Sequence, residues 1–426
     1  MLRSARNDAL YWFVKEGSAI RIVILGMGYG GLRLALDLEK GIRKRHLDWE
    51  LVLLDQHPFH QLVAELHQVA AGSIMYDFAT IPYERLLQSR RVTFRQARVT
   101  GFDLPGKSVL TETGPIGYDK LVIALGGEVD FLESPHHHIP GLRDHALIVQ
   151  PIQQAHRTYD QLQERLFRFI KHRSAQETFG IVIGGGGSTG VELAGQLADE
   201  IESICKSQNL PKEAVSIHLV EASTRLVSGF HPKISPYVTR SLQKKGVVVH
   251  LLEPIVKVSD RDVLLGSGKL LSCHVLIWAG GVRGHSLAAG SGLKTDAKGR
   301  IIINGYLQTR RDHREAPDVF ALGDSAYFIH PETGIPCAPM ARLAIEQGRW
   351  LAGHLLKENR FPFLPAFRGA VISLGKGSAV AVVGNLRFFG RIASLLKTFI
   401  SIKYLFTIGR VGLILHQMRV GILGKI

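Results

Sequence analysis

Ile20-Arg21-Ile22-Val23-Ile24-Leu25-Gly26-Met27-Gly28-Tyr29-Gly30-Gly31 decides the fold of this chain. An apolar run fit for a buried strand leads into closely spaced glycines, and Leu32, Ala35 and Leu36 then fall on one side of a helix. In a strand–turn–helix unit of this kind the first glycine permits the tight turn. The second lets the backbone approach a pyrophosphate, and the third packs helix on strand. The helix start supplies unpaired N–H groups to the phosphates. The same pattern returns about 160 residues later: Gly180-Ile181-Val182-Ile183-Gly184 runs into Gly185-Gly186-Gly187-Ser188-Thr189-Gly190, with Val191, Ala194, Ala198 and Ile201 on the following helix. One glycine turn of this form is weak evidence, whereas two in strand–turn–helix context predict two dinucleotides held at once.

Each copy is completed by an acid at the end of the next strand, where it can bind ribose hydroxyls. Glu50-Leu51-Val52-Leu53-Leu54-Asp55 places Asp55 24 residues beyond Gly31, and Ser216-Ile217-His218-Leu219-Val220-Glu221 places Glu221 31 residues beyond Gly190. The longer second spacing is absorbed by a polar stretch, Lys206 to Glu213, that contains Pro211 and reads as a loop.

The 426 residues suffice for two or three domains, and 46% hydrophobic content is globular. No run of about 20 uncharged apolar residues predicts a spanning helix. Met1 to Ser18 carries a short apolar cluster broken by charges and is read as an extension, not a signal peptide. Three widely spaced cysteines, Cys205, Cys273 and Cys337, argue against a disulfide framework and suit a reducing compartment. His136-His137-His138 between Pro135 and Pro140 reads as an exposed loop, because consecutive side chains do not converge on one ion; no metal site is expected.

The net charge of +15 is unevenly spread. The 68 residues after Glu358 contain ten Lys or Arg, interleaved with apolar pairs, and neither Asp nor Glu. Apolar residues with cations and without acids describe a helix lying in a membrane interface, where each cation near an anionic leaflet contributes about 1 kcal/mol. A core-docked helix pair and a nucleic-acid patch are the rival readings, and no nucleic-acid motif accompanies the charge. Lys397 and Lys403 cannot share a face of one straight helix, so two short helices broken near Ser401 are expected.

Several further segments resemble the type II NADH dehydrogenases, single-subunit flavoproteins that oxidise NADH with a quinone and do not pump protons. They are the stretch from Asp55 and His60 to Leu66-His67-Gln68-Val69-Ala70-Ala71-Gly72, then Tyr118 to Gly126, Thr189-Gly190-Val191-Glu192-Leu193-Ala194-Gly195, Trp278-Ala279-Gly280-Gly281 and Val319-Phe320-Ala321-Leu322-Gly323-Asp324. The tail Lys403 to Leu413 is similar to that of some bacterial members, so the resemblance runs from about Ile20 to about Leu415. It implies an α/β fold of two Rossmann-like dinucleotide-binding domains, the nicotinamide domain inserted into the FAD domain, with a C-terminal amphipathic helical tail. The expected boundaries are an extension at 1–19, the FAD domain at 20–145 and 287–375, the NADH domain at 146–286, and a membrane-surface tail at 376–426. Gln153 to His172 reads as a helix joining the domains.

The resemblance implies FAD on Gly26, Gly28, Tyr29, Gly30, Gly31, Asp55, Val99, Ala124, Gly126, Asp324, Ala341, Arg342 and Lys397. It implies NADH on Gly185, Gly187, Gly190, Glu221 and Gly281. Glu192 is the candidate catalytic residue, handling protons or holding nicotinamide against flavin; the alternative is a carboxylate stabilised by the helix dipole. Lys397 is a candidate cation near the flavin or a lipid contact, and His57 and His60 line or support the flavin site. The chain departs from the family where Ala-Gln-x-Ala-x-Gln is usual: here Ala341-Arg342-Leu343-Ala344-Ile345-Glu346 replaces both glutamines. Arg342 and Glu346 either pair structurally or reshape the acceptor site. The implied partners are a membrane quinone and an anionic membrane surface on the cytoplasmic face of the cell membrane, without nucleic acid, and a homodimer is compatible. Disulfide and sulfide:quinone reductases of this fold need a cysteine pair near the flavin, which the cysteine spacing does not supply. An NADH-binding redox sensor and a dehydrogenase with a non-quinone acceptor remain alternative readings.

Overall fold

The computed structural model describes residues 19–133, 138–174, 176–311, 314–366 and 369–423. The extension Met1 to Ser18 and most of the histidine run, His136 and His137, lie outside the described residues. Two parallel sheets carry the molecule. The first orders its strands Gln308–Arg311, Arg314–Ala321, Lys120–Ile123, Ile20–Leu25, Trp49–Asp55 and Thr93–Gln96, with only the Gln308–Arg311 edge antiparallel. The second orders Ala146–Ile148, Val275–Trp278, Phe179–Gly184, Val215–Glu221 and Val247–Leu251, all parallel.

The strands that enter the glycine turns are central in their sheets. Val23, Ile24 and Leu25 and all of Phe179–Gly184 are buried, as expected of parallel strands covered on both faces. Each has the acid-bearing strand on one side and, on the other, a strand that ends in a second small-residue turn: Lys120–Ile123 before Ala124, and Val275–Trp278 before Ala279. The chain leaves the first sheet after Ile123, builds the second, and returns to the first at the hairpin of Gln308–Arg311 and Arg314–Ala321. The second domain is therefore an insertion into the first. The helix Ile152–His172, close to the expected 153–172, buries Ile152, Ala155, Thr158, Leu162 and Leu166 beneath the second sheet.

Two findings correct expectations about the tail. Residues Ala370–Ser373, Ala379–Val383 and Leu386–Phe389 form a small antiparallel sheet, and the helix that follows runs unbroken from Gly390 to Leu423. There is no break near Ser401. The two lysines do not need a common face, because the Lys397 side chain turns inward and is only 20% exposed, while Lys403 is exposed to solvent. Its Gly390–Gly409 portion, with mean hydropathy 1.4, is also the one stretch among the described residues long and apolar enough to cross a membrane by length and composition. Yet Ala393, Leu405 and Ile408 are buried against the rest of the protein. The opposite side exposes Ile392, Leu395, Phe399, Ile402 and Phe406, spaced three and four residues apart. The helix is apolar on both faces because one is seated on the protein and the other is not.

Candidate functional site

The two glycine turns are built alike, atom for atom where it matters. Gly26 has φ +85° and Gly185 φ +109°, and a Cβ at either would strike the carbonyl of Ala124 or Ala279 respectively. Gly31 and Gly190 pack so closely on the carbonyls of Gly26 and Gly185 that no side chain fits. Gly28 and Gly187 differ: each is the N-cap of its helix, Tyr29–Arg45 or Ser188–Ser207, and a Cβ there would meet nothing within 4 Å. Neither helix has a side-chain cap or an acid in its first turn. A helix start with free N–H groups, open space and no competing carboxylate fits a pyrophosphate. Gly126 and Gly281, in the second small-residue turns, also open onto free space. Gly30 instead faces Leu322 and Ala344, which bring the helix Ala341–Leu355 against the first turn.

The two acids also match. Asp55 Oδ2 accepts from the Met27 amide at 2.8 Å and Oδ1 from the His57 amide at 2.9 Å. Glu221 Oε2 accepts from the Gly186 amide at 2.6 Å and Oε1 from the Ser223 amide at 2.7 Å. Each carboxylate thus holds the second residue of its turn and keeps lone pairs free for ribose hydroxyls. Arg225, four residues past Glu221, is engaged by the carbonyls of Phe230 at 3.0 Å and Ser228 at 2.6 Å.

Asp324 lies in the short turn Gly323–Ser325, whose ends are tied by Gly323 N–H to Gln347 Oε1 at 2.7 Å and Ser325 Oγ–H to the Gly126 carbonyl at 2.9 Å. Its carboxyl, raised above the usual range by burial against the opposing pull of Arg300, accepts no hydrogen bond among the described residues. Gln347 Nε2 is buried without a partner beside it. A bare carboxylate and an orphaned donor at one turn fit a polar group such as a sugar-alcohol chain. The sequence reading missed Gln347, whose place in a repetitive helical motif gave no separate signal. Tyr29 is partly buried, receives the Ala64 amide at 3.4 Å, and has its hydroxyl pKa pushed up by burial. Val99 is buried in the first core on the strand Val99–Asp103.

A second cluster joins three parts of the molecule. Glu192, two residues past Gly190, accepts from the Ser373 amide at 3.0 Å and lies 3.6 Å from Lys397 Nζ. Lys397 also lies 3.8 Å from Glu65 Oε2 and 3.5 Å from His67 Nε2, and His67 Nδ1 is 3.9 Å from Glu192. Ser401 donates to Glu65 at 3.2 Å. Burial pushes the Glu192 carboxyl upward, opposed by Lys397 and the Ser373 amide; burial and then Lys397 push His67 down to about 3, so its imidazole is neutral. Lys397 is thereby an internal cation and not a lipid contact. Glu65 and His67 took no role in the sequence reading, because only the fold brings them beside a lysine some 330 residues away.

Arg342 and Glu346 do pair: Arg342 Nε and Nη2 reach Glu346 Oε1 at 3.1 and 2.6 Å. The pair also fastens the chain ahead of the small sheet, since Arg342 donates to the carbonyls of Gly369 and Ala366 and Glu346 accepts from the Ala366 amide. Both side chains are partly exposed, at 32% and 24%. Ala341, which begins the same helix, follows the extended Met340. The cysteines are free and separate: Cys205 lies in the second core, Cys273 in a third, and Cys337 against the first. Burial raises all three thiols above their ordinary pKa, so none is poised as a thiolate.

A family model described as pyridine nucleotide-disulphide oxidoreductase matches residues 20–348, more than three-quarters of the chain. The chain belongs to that family. It is an enzyme, a pyridine-nucleotide oxidoreductase of the flavoprotein type. The type II NADH:quinone oxidoreductase of Staphylococcus aureus is 29% identical over 409 residues, covering 92% of this chain and 97% of the relative. Among solved structures, NDH2 from Plasmodium falciparum in complex with NADH matches with TM-score 0.82 at 17% identity, over 96% of this chain and 98% of that one. The sulfide:quinone oxidoreductase of Aquifex aeolicus matches with TM-score 0.75 at 18% identity, over 92% of each. The architecture is shared with both.

Proposed function

We propose that this chain oxidises NADH and delivers the two electrons to a membrane quinone, without pumping protons, from the cytoplasmic face of the cell membrane. FAD belongs to the first turn, with Asp55 at its ribose and Asp324 at its ribityl chain, and NADH to the second, with Glu221 at its ribose. Bound FAD supplies a hydride acceptor and a two-electron donor, so the protein's part is position, electrostatics and protons.

The observation that carries this reading is the Glu192–Lys397 cluster. It lies between the second-turn helix, the segment Glu65–His67 of the first domain and the C-terminal helix, where both dinucleotide domains meet the tail. A quinone needs two protons with its electrons. Glu192, raised by burial yet hydrogen-bonded and beside a cation, holds a proton more readily than an exposed carboxyl and is placed to pass it on. The outward stripe Ile392, Leu395, Phe399, Ile402 and Phe406 supports seating on lipid, with Lys403 at the interface.

Steady-state NADH oxidation with a panel of short-chain quinones tests the proposal. Rapid turnover that depends on added quinone is expected. Slow reduction into a long-lived charge-transfer complex, with no quinone dependence, overturns it in favour of a redox sensor. Rapid turnover only with soluble carriers overturns the choice of acceptor.

A further inference from the structure

The two glycine turns differ at one carbonyl. In each, the amide of the second residue is held by the strand-end acid, Met27 by Asp55 and Gly186 by Glu221. The carbonyl of Gly186 is then held locally, by the Val227 amide at 2.8 Å. The equivalent carbonyl of Met27 accepts instead from side chains, Tyr83 Oη at 2.9 Å and His60 Nδ1 at 3.0 Å. A carbonyl only accepts, so Nδ1 of His60 carries the proton and Nε2 is a bare acceptor. Nε2 meets Tyr404 Oη at 2.8 Å, and Tyr404 therefore donates. Tyr404 belongs to the C-terminal helix, 344 residues from His60, and sits one residue before the buried Leu405. Its ring lies 4.9 Å from that of Tyr29, and Tyr29 meets the His60 ring edge-on at 5.3 Å. His60 is fully buried, so water does not replace either partner.

We infer that Tyr404 and His60 are positioning residues for FAD: the seated C-terminal helix holds the Met27 carbonyl, and with it the first glycine turn, through the relay Tyr404 O–H to His60 Nε2 and His60 Nδ1–H to Met27 O. The inference rests on the assignment of FAD to the first turn. The relay fixes both the tautomer and the tilt of the imidazole. Without Tyr404 the ring keeps a buried acceptor unmet and its tilt is no longer fixed, so the Met27 carbonyl keeps Tyr83 but loses a steadily aimed His60 N–H, and the turn holds its amides less firmly toward the pyrophosphate. The carbonyl of the second turn has no such dependence, so this relay acts on one glycine turn and not the other.

The test is FAD release from full-length protein in detergent, followed by the rise of free-flavin fluorescence on dilution, beside ADP-ribose binding at the second turn. Tyr404→Phe is expected to weaken FAD about tenfold, the ordinary worth of one buried hydrogen bond, with ADP-ribose affinity unchanged. The doubly apolar variant His60→Phe with Tyr404→Phe leaves no unmet acceptor. It is expected to recover thermal stability but not FAD affinity, and it serves equally if Tyr404→Phe alone does not fold. Unchanged FAD release in Tyr404→Phe overturns the relay, as does recovery of FAD affinity in the double variant. Equal loss at both dinucleotide sites overturns it in favour of general destabilisation. A wild-type protein that binds ADP-ribose but never FAD breaks the underlying assignment instead, and is thereby distinguishable.

Discussion

Arg342 and Glu346 stand where relatives of the resembled family carry neutral amides, and their geometry makes them interdependent. Removing one partner leaves the other charge partly desolvated, whereas removing both leaves two amides that can bond to each other and to the same backbone. Partial exposure limits the effect to about 1 kcal/mol, roughly fivefold in rate. Arg342→Gln alone is expected to slow flavin reoxidation by quinone about fivefold, and Arg342→Gln with Glu346→Gln to restore most of it, with flavin reduction by NADH unaffected. Stopped-flow measurement of the two half-reactions checks this; identical reoxidation in all three proteins removes the pair from the acceptor site. Glu221 makes a second residue-level prediction. A 2′-phosphate at its position meets a carboxylate already bound to two amides, and Arg225 is engaged by carbonyls and so not poised to compensate. NADH is expected to exceed NADPH in kcat/KM by at least about tenfold, the worth of one unrelieved like-charge contact, and Glu221→Gln to narrow that ratio. Equal kcat/KM for the two nucleotides in the wild type removes Glu221 from specificity.

The C-terminal helix shows what a linear reading captures and what it misses. Its existence and basic, apolar character were legible, because composition alone carries them. Its continuity was not, since a break is needed only if both lysines face the same surroundings. Lys397 finds Glu65 and Glu192 inside the protein, and only the fold supplies those acids. The central strands and turns, by contrast, were legible because strand, glycines, helix and acid are local in sequence and each is required by backbone geometry. Since one face of the helix is core, truncation after Arg387 removes the buried Ala393, Leu405 and Ile408, uncovers the core they pack on, and is expected to give insoluble or flavin-poor protein. A gentler change tests membrane seating. Leu395→Ser with Phe399→Ser removes two exposed side chains, each worth about 1.5–3 kcal/mol when buried in lipid. Sedimentation with anionic vesicles is expected to fall at least tenfold, with FAD content and thermal stability unchanged. High salt alone is expected to release only part of the wild type, because apolar burial is not screened. Undiminished vesicle binding by the double variant places the contact elsewhere.

At the scale of the whole molecule, the tail, the inserted domain and the first sheet meet over neutral buried imidazoles, and this sets how stability responds to acid. His60 is pushed down to about 4 and His67 to about 3, in both cases chiefly by burial, and His218 to about 4. A depressed histidine binds fewer protons folded than unfolded between its folded pKa and about 6.5. Stability therefore rises with pH across that window, is complete above about 6.5, and is lost as pH falls toward 4. For His60 the difference of roughly 2.5 pH units corresponds to about 3 kcal/mol. Glu192 and Asp324 act in the opposite sense, because carboxyls raised by burial favour the folded state when protonated and lose that advantage as pH rises above their unfolded values. The histidines prevail by number, because burial also holds His57, His250, His274 and His285 below the ordinary imidazole range. Thermal unfolding of the FAD-loaded protein is thus expected to move upward between pH 4.5 and pH 7. The variant His60→Gln, which cannot charge, is expected to show a shallower rise over the same range. A flat or falling wild-type midpoint from pH 4.5 to 7 shows that the raised carboxyls outweigh the histidines, and a His60→Gln variant with undiminished slope shows that His60 is not neutral in the folded protein. The proton placed on Nδ1 alone, and the donation from Tyr404 to Nε2, then fail with it.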